Sequence, residues 1–105
     1  MRDEPGVGDA AQLFKVLGNR ARLELLRLIE QEPCTVGTLV DATALSQPLV
    51  SQHLRTLRQS GLVVAERHGK EMCYEVADRH VTHVIADALA HVLEPASEAS
   101  AEAHH

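Results

Sequence analysis

The sequence predicts a mainly α-helical domain carrying one β-hairpin, and three observations predict it. Apolar residues recur at three-and-four spacing in Arg20–Gln31, Gln47–Ser60 and the stretch after Asp78, the period of a helix with a buried face. Leu62–Arg67 and Lys70–Ala77 instead alternate on either side of His68-Gly69, as two strands joined by a tight turn do. Start and stop residues punctuate these segments: Asn19, Ser46 and Asp78 as N-caps, Gly18, Gly61 and Pro95 as terminators.

Taken in order, residues 1–9 hold Gly, Pro and acids without periodicity and are expected to form a disordered arm. Asp9 caps a short helix, Ala10–Leu17, with Leu13, Phe14 and Leu17 on one face. Asn19 caps the second helix, whose Leu23, Leu25, Leu26, Leu28 and Ile29 cover much of its circumference, so it is central to the core. Pro33 ends it. Thr35–Thr43 reads as a third helix with Val36, Leu39 and Val40 inward. Ala44-Leu45 is a turn, and Ser46 caps the fourth helix, which tolerates Pro48 in its first turn. Leu49, Val50, Leu54 and Leu57 form its expected buried stripe. In the hairpin, Met72, Tyr74 and Val76 share a face. Residues 10–95 make the folded domain, and residues 96–105 a flexible tail.

Composition sets the class. A chain of 105 residues is one domain, and its core must be Leu, Val and Ala, because Phe14 and Tyr74 are its only aromatics. Such a lean core gains from burial against a second subunit. No apolar run approaches the roughly 20 residues of a membrane span, and no signal peptide precedes the fold, so a cytoplasmic location without a membrane partner is expected. Cys34 and Cys73 form no CxxC pair and are expected to stay reduced and inert. The net charge is −5, but residues 15–70 carry +3 and residues 71–105 carry −6. The middle of the chain is basic enough for nucleic acid, since binding depends on the local patch.

Two helices around a short turn, followed by a hairpin, make a winged helix-turn-helix. The outer face of the fourth helix shows Gln47, Ser51, Gln52, Arg55, Arg58 and Gln59. Amides and hydroxyls can read base edges, and guanidinium groups can meet phosphates. Arg67, His68 and Lys70 at the hairpin tip can hold the neighbouring DNA backbone. The plainer reading is that these are ordinary surface residues.

The last helix carries a second pattern. Val81, Val84, Ile85, Ala88, Leu89 and Val92 form its apolar stripe, and its polar residues are mostly metal-ligand types. Asp78-x-His80 and His91-x-x-Glu94 stand ten residues apart. At about 100° and 1.5 Å per residue, His80 and His91 share a face but lie about 16 Å apart along the axis. One metal, ligated at about 2 Å, cannot join both ends. In an antiparallel pair of such helices, Asp78 and His80 of one chain meet His91 and Glu94 of the other, and twofold symmetry makes two sites. The alternative is an N-cap and a solvated His-rich face that binds nothing.

At this point the chain resembles the ArsR/SmtB family of metal-sensing bacterial repressors. The likeness rests on SQPLVSQHLRTLRQSGLV (Ser46–Val63), on LGNRARLELLRLI (Leu17–Ile29), and on D-x-H-x10-H-x2-E in the last helix, which matches the family's zinc-type site in all four positions. The resemblance implies a homodimer on double-stranded operator DNA, released when Zn(II) binds at Asp78, His80, His91 and Glu94. It implies base contacts from Gln47, Ser51 and Gln52. Four-coordinate N/O ligation suits Zn(II). His83, His104 or His105 could complete a six-coordinate site for Ni(II) or Co(II) instead. The third-helix cysteine cluster of the family's arsenic and cadmium sensors is absent, with Cys34 alone in EPCTVGTL.

Two other classes compete. A regulator of the same fold could answer to thiol oxidation at Cys34 or Cys73, or act constitutively. An enzyme would need a phosphate loop or a nucleophile–base motif, and the sequence shows neither. No catalytic residue is expected.

Overall fold

The computed structural model describes residues 4–95. Its elements are α1 (Val7–Leu17), α2 (Arg20–Gln31), β1 (Cys34–Thr35), α3 (Val36–Thr43), α4 (Gln47–Gln59), β2 (Val63–His68), β3 (Glu71–Val76) and α5 (Arg79–Leu93). Side-chain caps fix most helix starts. Asn19 Oδ1 accepts from the Arg22 N–H at 3.0 Å, Ser46 Oγ from Leu49 at 3.3 Å and Asp78 Oδ1 from His80 at 2.8 Å. Each cap satisfies one of the amides that a helix start leaves free.

Helix α1 begins at Val7, not after an Asp9 cap. Gly6 takes its N-cap position at φ 89°, a left-handed conformation open to glycine. Asp9 falls inside the first turn, where its carboxylate complements the helix dipole. Residues 7–9 of the expected arm are therefore helical. The expectations for residues 1–3 and for the tail at 96–105 fall outside the described residues.

The three-stranded antiparallel sheet has the order β1-β3-β2. Strand β1 was not expected. Cys34 pairs with Tyr74 and Thr35 with Cys73, while Thr35 also caps α3 by accepting from Thr38 N at 3.2 Å. Thr35 thus ends a strand instead of opening a helix. The hairpin register runs from Val63↔Val76 to His68↔Glu71, so the tip is Gly69-Lys70, one residue later than the sequence suggested. Gly69 supplies the positive φ, 66°, that a two-residue loop needs at its first central position.

The core lies where α2, α3, α4 and the hairpin meet. Leu25, Leu26, Leu39, Val50, Leu54, Leu57 and Val63 are fully enclosed, and Val81 and Ile85 of α5 close one side. Burying each such side chain contributes about 1.5–3 kcal/mol. Two expected core residues are outside it. Phe14 is 57% exposed and Leu49 is 44% exposed. Helix α4 turns Val50, Leu54 and Leu57 inward, and Leu49 stands about 100° around from Val50. Phe14 instead borders a groove described below.

Candidate functional site

The α3-turn-α4 unit presents one face of α4 to solvent. Gln47, Gln52, Arg55 and Arg58 are exposed and Ser51 is half-buried, while Val50, Leu54 and Leu57 anchor the opposite face. No Asp or Glu lies on this helix. Its entry depends on Ala44, the single described non-glycine residue with positive φ, 63°. That left-handed conformation costs an L-residue about 1–2 kcal/mol and lets the chain turn from α3 into α4 within three residues. Gly61 at φ 77° leads out toward β2. Arg67 on β2 and Lys70 at the tip are both exposed. The structure thus places all seven predicted DNA-contacting residues on α4 and the hairpin, with Ser51 the least accessible.

His53 shares this helix. It is half-buried, and its Nδ1 and the Arg22 Nε are both enclosed without a partner among the described residues. Arg22 Nη1 meanwhile donates to the Val16 carbonyl at 2.8 Å. Burial, and then the Arg22 guanidinium, hold the His53 imidazole below its ordinary range. His53 thus sets α4 beside the arginine that ties α2 to the end of α1. Sequence spacing carried one signal for this, since His53 precedes Leu54 at the edge of the buried stripe.

Helix α5 divides the proposed ligand set in two. Asp78 Oδ1 caps the helix and lies 3.2 Å from His80 Nδ1, and the His80 ring is fully exposed. With Nδ1–H donating to Asp78, Nε2 faces solvent and is free to bind a metal. His91 and Glu94 are exposed at the other end, where Glu94 is the C-cap and its N–H donates to the His91 carbonyl. Within one chain the halves stay apart: no group of three or more His, Cys, Asp or Glu able to hold a metal forms among the described residues. His83 and Asp87 are exposed between the halves. His104 and His105 lie outside the described residues.

Beside this polar face runs an apolar groove of about 750 Å³. Phe14 and Leu17 of α1, Leu23 and Leu28 of α2, and Val84, Ala88 and Val92 of α5 line it, with Arg20, Glu24 and Arg27 on its rim. Val92 is 69% exposed. Sequence periodicity assigned these residues to amphipathic stripes but could not tell which stripe stays uncovered among the described residues.

One of the two cysteines offers little to oxidants. Cys34 is buried, its thiol lies 3.1 Å from the Glu32 carbonyl, and burial, followed by Glu32 and Cys73, pushes its pKa up. The thiolate that oxidation requires is disfavoured there.

Comparison with known proteins places this geometry. Residues 19–64 match the family described as "Bacterial regulatory protein, arsR family". The chain is 33% identical over 89 residues to the HTH-type transcriptional regulator NmtR of Mycobacterium tuberculosis, covering 85% of this chain and 74% of NmtR. This chain belongs to the ArsR family. Another ArsR-family relative, the HTH-type transcriptional repressor SmtB of Mycobacterium tuberculosis, is 44% identical over 88 residues, which cover 83% of this chain. The match spans 64% of the length of that SmtB. Among solved structures, the homodimeric winged helix-turn-helix DNA-binding domain Mb0332 from Mycobacterium bovis superposes with a TM-score of 0.79 at 26% identity, covering all of this chain and 95% of that one. SmtB and NmtR are transcriptional regulators, not enzymes, and this chain shares the fold of Mb0332: mainly helical with a winged helix-turn-helix. No described helix is long and apolar enough to cross a membrane.

Proposed function

We propose that this chain is a bacterial cytoplasmic transcriptional repressor that binds double-stranded operator DNA as a homodimer and leaves it when Zn(II) binds at paired α5 helices. The observation that carries this reading is the layout of α5. Asp78 and His80 stand at one end, His91 and Glu94 at the other, and the exposed groove that invites a second copy runs between α5, α1 and α2. The repressor role is supported by the likeness to SmtB, and the homodimer by the likeness to Mb0332.

Two copies crossing antiparallel at α5 would bring Asp78 and His80 of one against His91 and Glu94 of the other. The donor set, two imidazoles and two carboxylates, suits four-coordinate Zn(II). Ni(II) or Co(II) would need further donors, for which His83 is placed nearest on the helix. A metal held there would cross-link the two helices and fix their relative rotation. Rotation matters because each protomer presents one α4, and the two must fall in successive major grooves. Gln47, Ser51 and Gln52 would face base edges, while Arg55, Arg58, Arg67 and Lys70 would meet phosphates. Moving occupancy from mostly bound to mostly free requires a coupling of several kcal/mol.

The test is fluorescence anisotropy of the full chain on DNA from its own promoter region, without metal and with Zn(II), Ni(II) or Co(II), beside the Co(II) absorption spectrum. Tight metal-free binding released best by Zn(II), with an intense tetrahedral Co(II) spectrum, is the expected result. Release best by Ni(II) with a weak six-coordinate spectrum would replace the zinc assignment. Binding indifferent to every metal would remove the sensor role.

A further inference from the structure

Leu49 is the exposed apolar residue that self-association does not account for. Phe14, Val84 and Val92 line the groove, and Val7 and Leu93 lie on the same two helices, α1 and α5. Val64 sits in the hairpin, paired with Glu75 and two residues from Glu66, in acidic surroundings. Leu49 alone among these lies on α4, the helix without an acid, and the groove does not include it.

Its position makes leucine an unfavourable choice for the chain by itself. Ser46 is the N-cap and accepts from the Leu49 N–H, so Leu49 is the third residue of α4. A Glu or Gln there would return a hydrogen bond to the N-cap amide and complete a reciprocal cap. Leucine forgoes that bond and leaves aliphatic surface in water. A local rule broken at an exposed position points to a partner outside the chain.

The neighbours say what that partner is. Gln52 lies one turn further along the same side of α4, with Arg55 and Arg58 beyond it. An amide can bond the N6/N7 edge of adenine, and an aliphatic side chain beside it matches the C5 methyl of thymine, which projects into the major groove. A carboxylate at position 49 would instead repel the phosphates that the arginines attract.

We propose that Leu49 is a specificity-determining residue whose side chain contacts the C5 methyl of one thymine in each operator half-site. This deepens the operator-binding reading and rests on it. The experiment recovers duplexes from a randomised DNA pool with the full chain in the absence of metal. The best duplex is resynthesised with each thymine replaced in turn by uracil, which deletes the methyl and keeps the base pair. Wild type should lose about fourfold in affinity at one position per half-site, the effect of one buried methyl. Leu49→Ala should bind the thymine duplex more weakly and show no loss on uracil substitution, while Leu49→Met should keep the discrimination. Because Leu49 is exposed, both variants should retain the wild-type helical circular dichroism.

Wild-type indifference to uracil at every position would overturn the contact and leave operator binding intact. Leu49→Ala that keeps the uracil discrimination would also overturn it, since another residue would be making the contact. Failure to enrich any sequence would overturn the operator reading and this inference together.

Discussion

Helices α4 and α5 are both amphipathic, yet among the described residues α4 is much the more fully covered. Helix α4 encloses Val50, Leu54 and Leu57 between α2, α3 and β2, and turns amides and arginines outward. Helix α5 encloses only Val81 and Ile85, packs mainly on α2, and leaves Val84 and Val92 open beside its histidines. The same periodicity therefore has two outcomes: one stripe finishes a core, and the other stays open among the described residues. An exposed apolar stripe next to ligand-type residues is what a metal-sensitive interface requires, because ligation and subunit geometry then share one helix.

Substitutions should separate the two helices sharply. Leu54→Ala, which empties a fully enclosed site on α4, should destabilise the fold by about 2–5 kcal/mol in urea denaturation. A loss below about 1 kcal/mol would show that α4 is not the anchored member of the pair. His91→Asn on α5 should leave metal-free DNA affinity unchanged and abolish release by Zn(II). If that variant still lets go of DNA on adding zinc, the ligand assignment on α5 is wrong. Phe14→Glu puts a charge on the groove wall while changing little inside one protomer. Sedimentation should show a shift toward monomer, with the dilute chain's stability moving by less than about 0.5 kcal/mol. An unchanged sedimentation coefficient would mean that the groove beside α5 is not the self-association face.

The pH response should belong to α4. His53 has a folded pKa below its ordinary value of 6.5, from burial first and Arg22 second. Between the two values the unfolded chain binds a proton that the folded chain does not. Stability should therefore fall as pH drops through about 6.5 and level off below the depressed folded value. His53→Gln should flatten that part of the profile in urea melts. An identical slope in the variant would assign the titration to another group. The smallest effect is expected at the entry to α4. Ala44→Gly relieves a left-handed alanine but loosens the unfolded chain, for a net gain of about 0.5 kcal/mol by thermal melting.

What was legible in the sequence was whatever repeats locally. Asn19, Ser46 and Asp78 are caps by chemistry, and all three cap helices here. The five helices and the hairpin followed from period and punctuation. Strand β1 did not, because two residues carry no periodicity and Cys34-Thr35 becomes a strand only by pairing with β3. Phe14 and Leu49 were placed inside because both are large and apolar; their exposure depends on which stripe finds a partner, a tertiary fact. The positions of Asp78, His80, His91 and Glu94 on α5 were legible residue by residue, and so was their division between the two ends of the helix. The buried Arg22–His53 neighbourhood was not, since those residues lie 31 positions apart and belong to different helices.

Strand β1 has a mechanical meaning. It bonds to β3 on one side and runs directly into α3 through Thr35, so the hairpin and the helix-turn-helix share a seam. Tilting the hairpin away from α4 would tear that seam. Each chain is thus a caliper of fixed opening, and in the proposed dimer the adjustable hinge would lie between the two copies. Duplex DNA, with about 10.5 base pairs per turn, is the ruler against which a pair of such calipers is either in step or out of step.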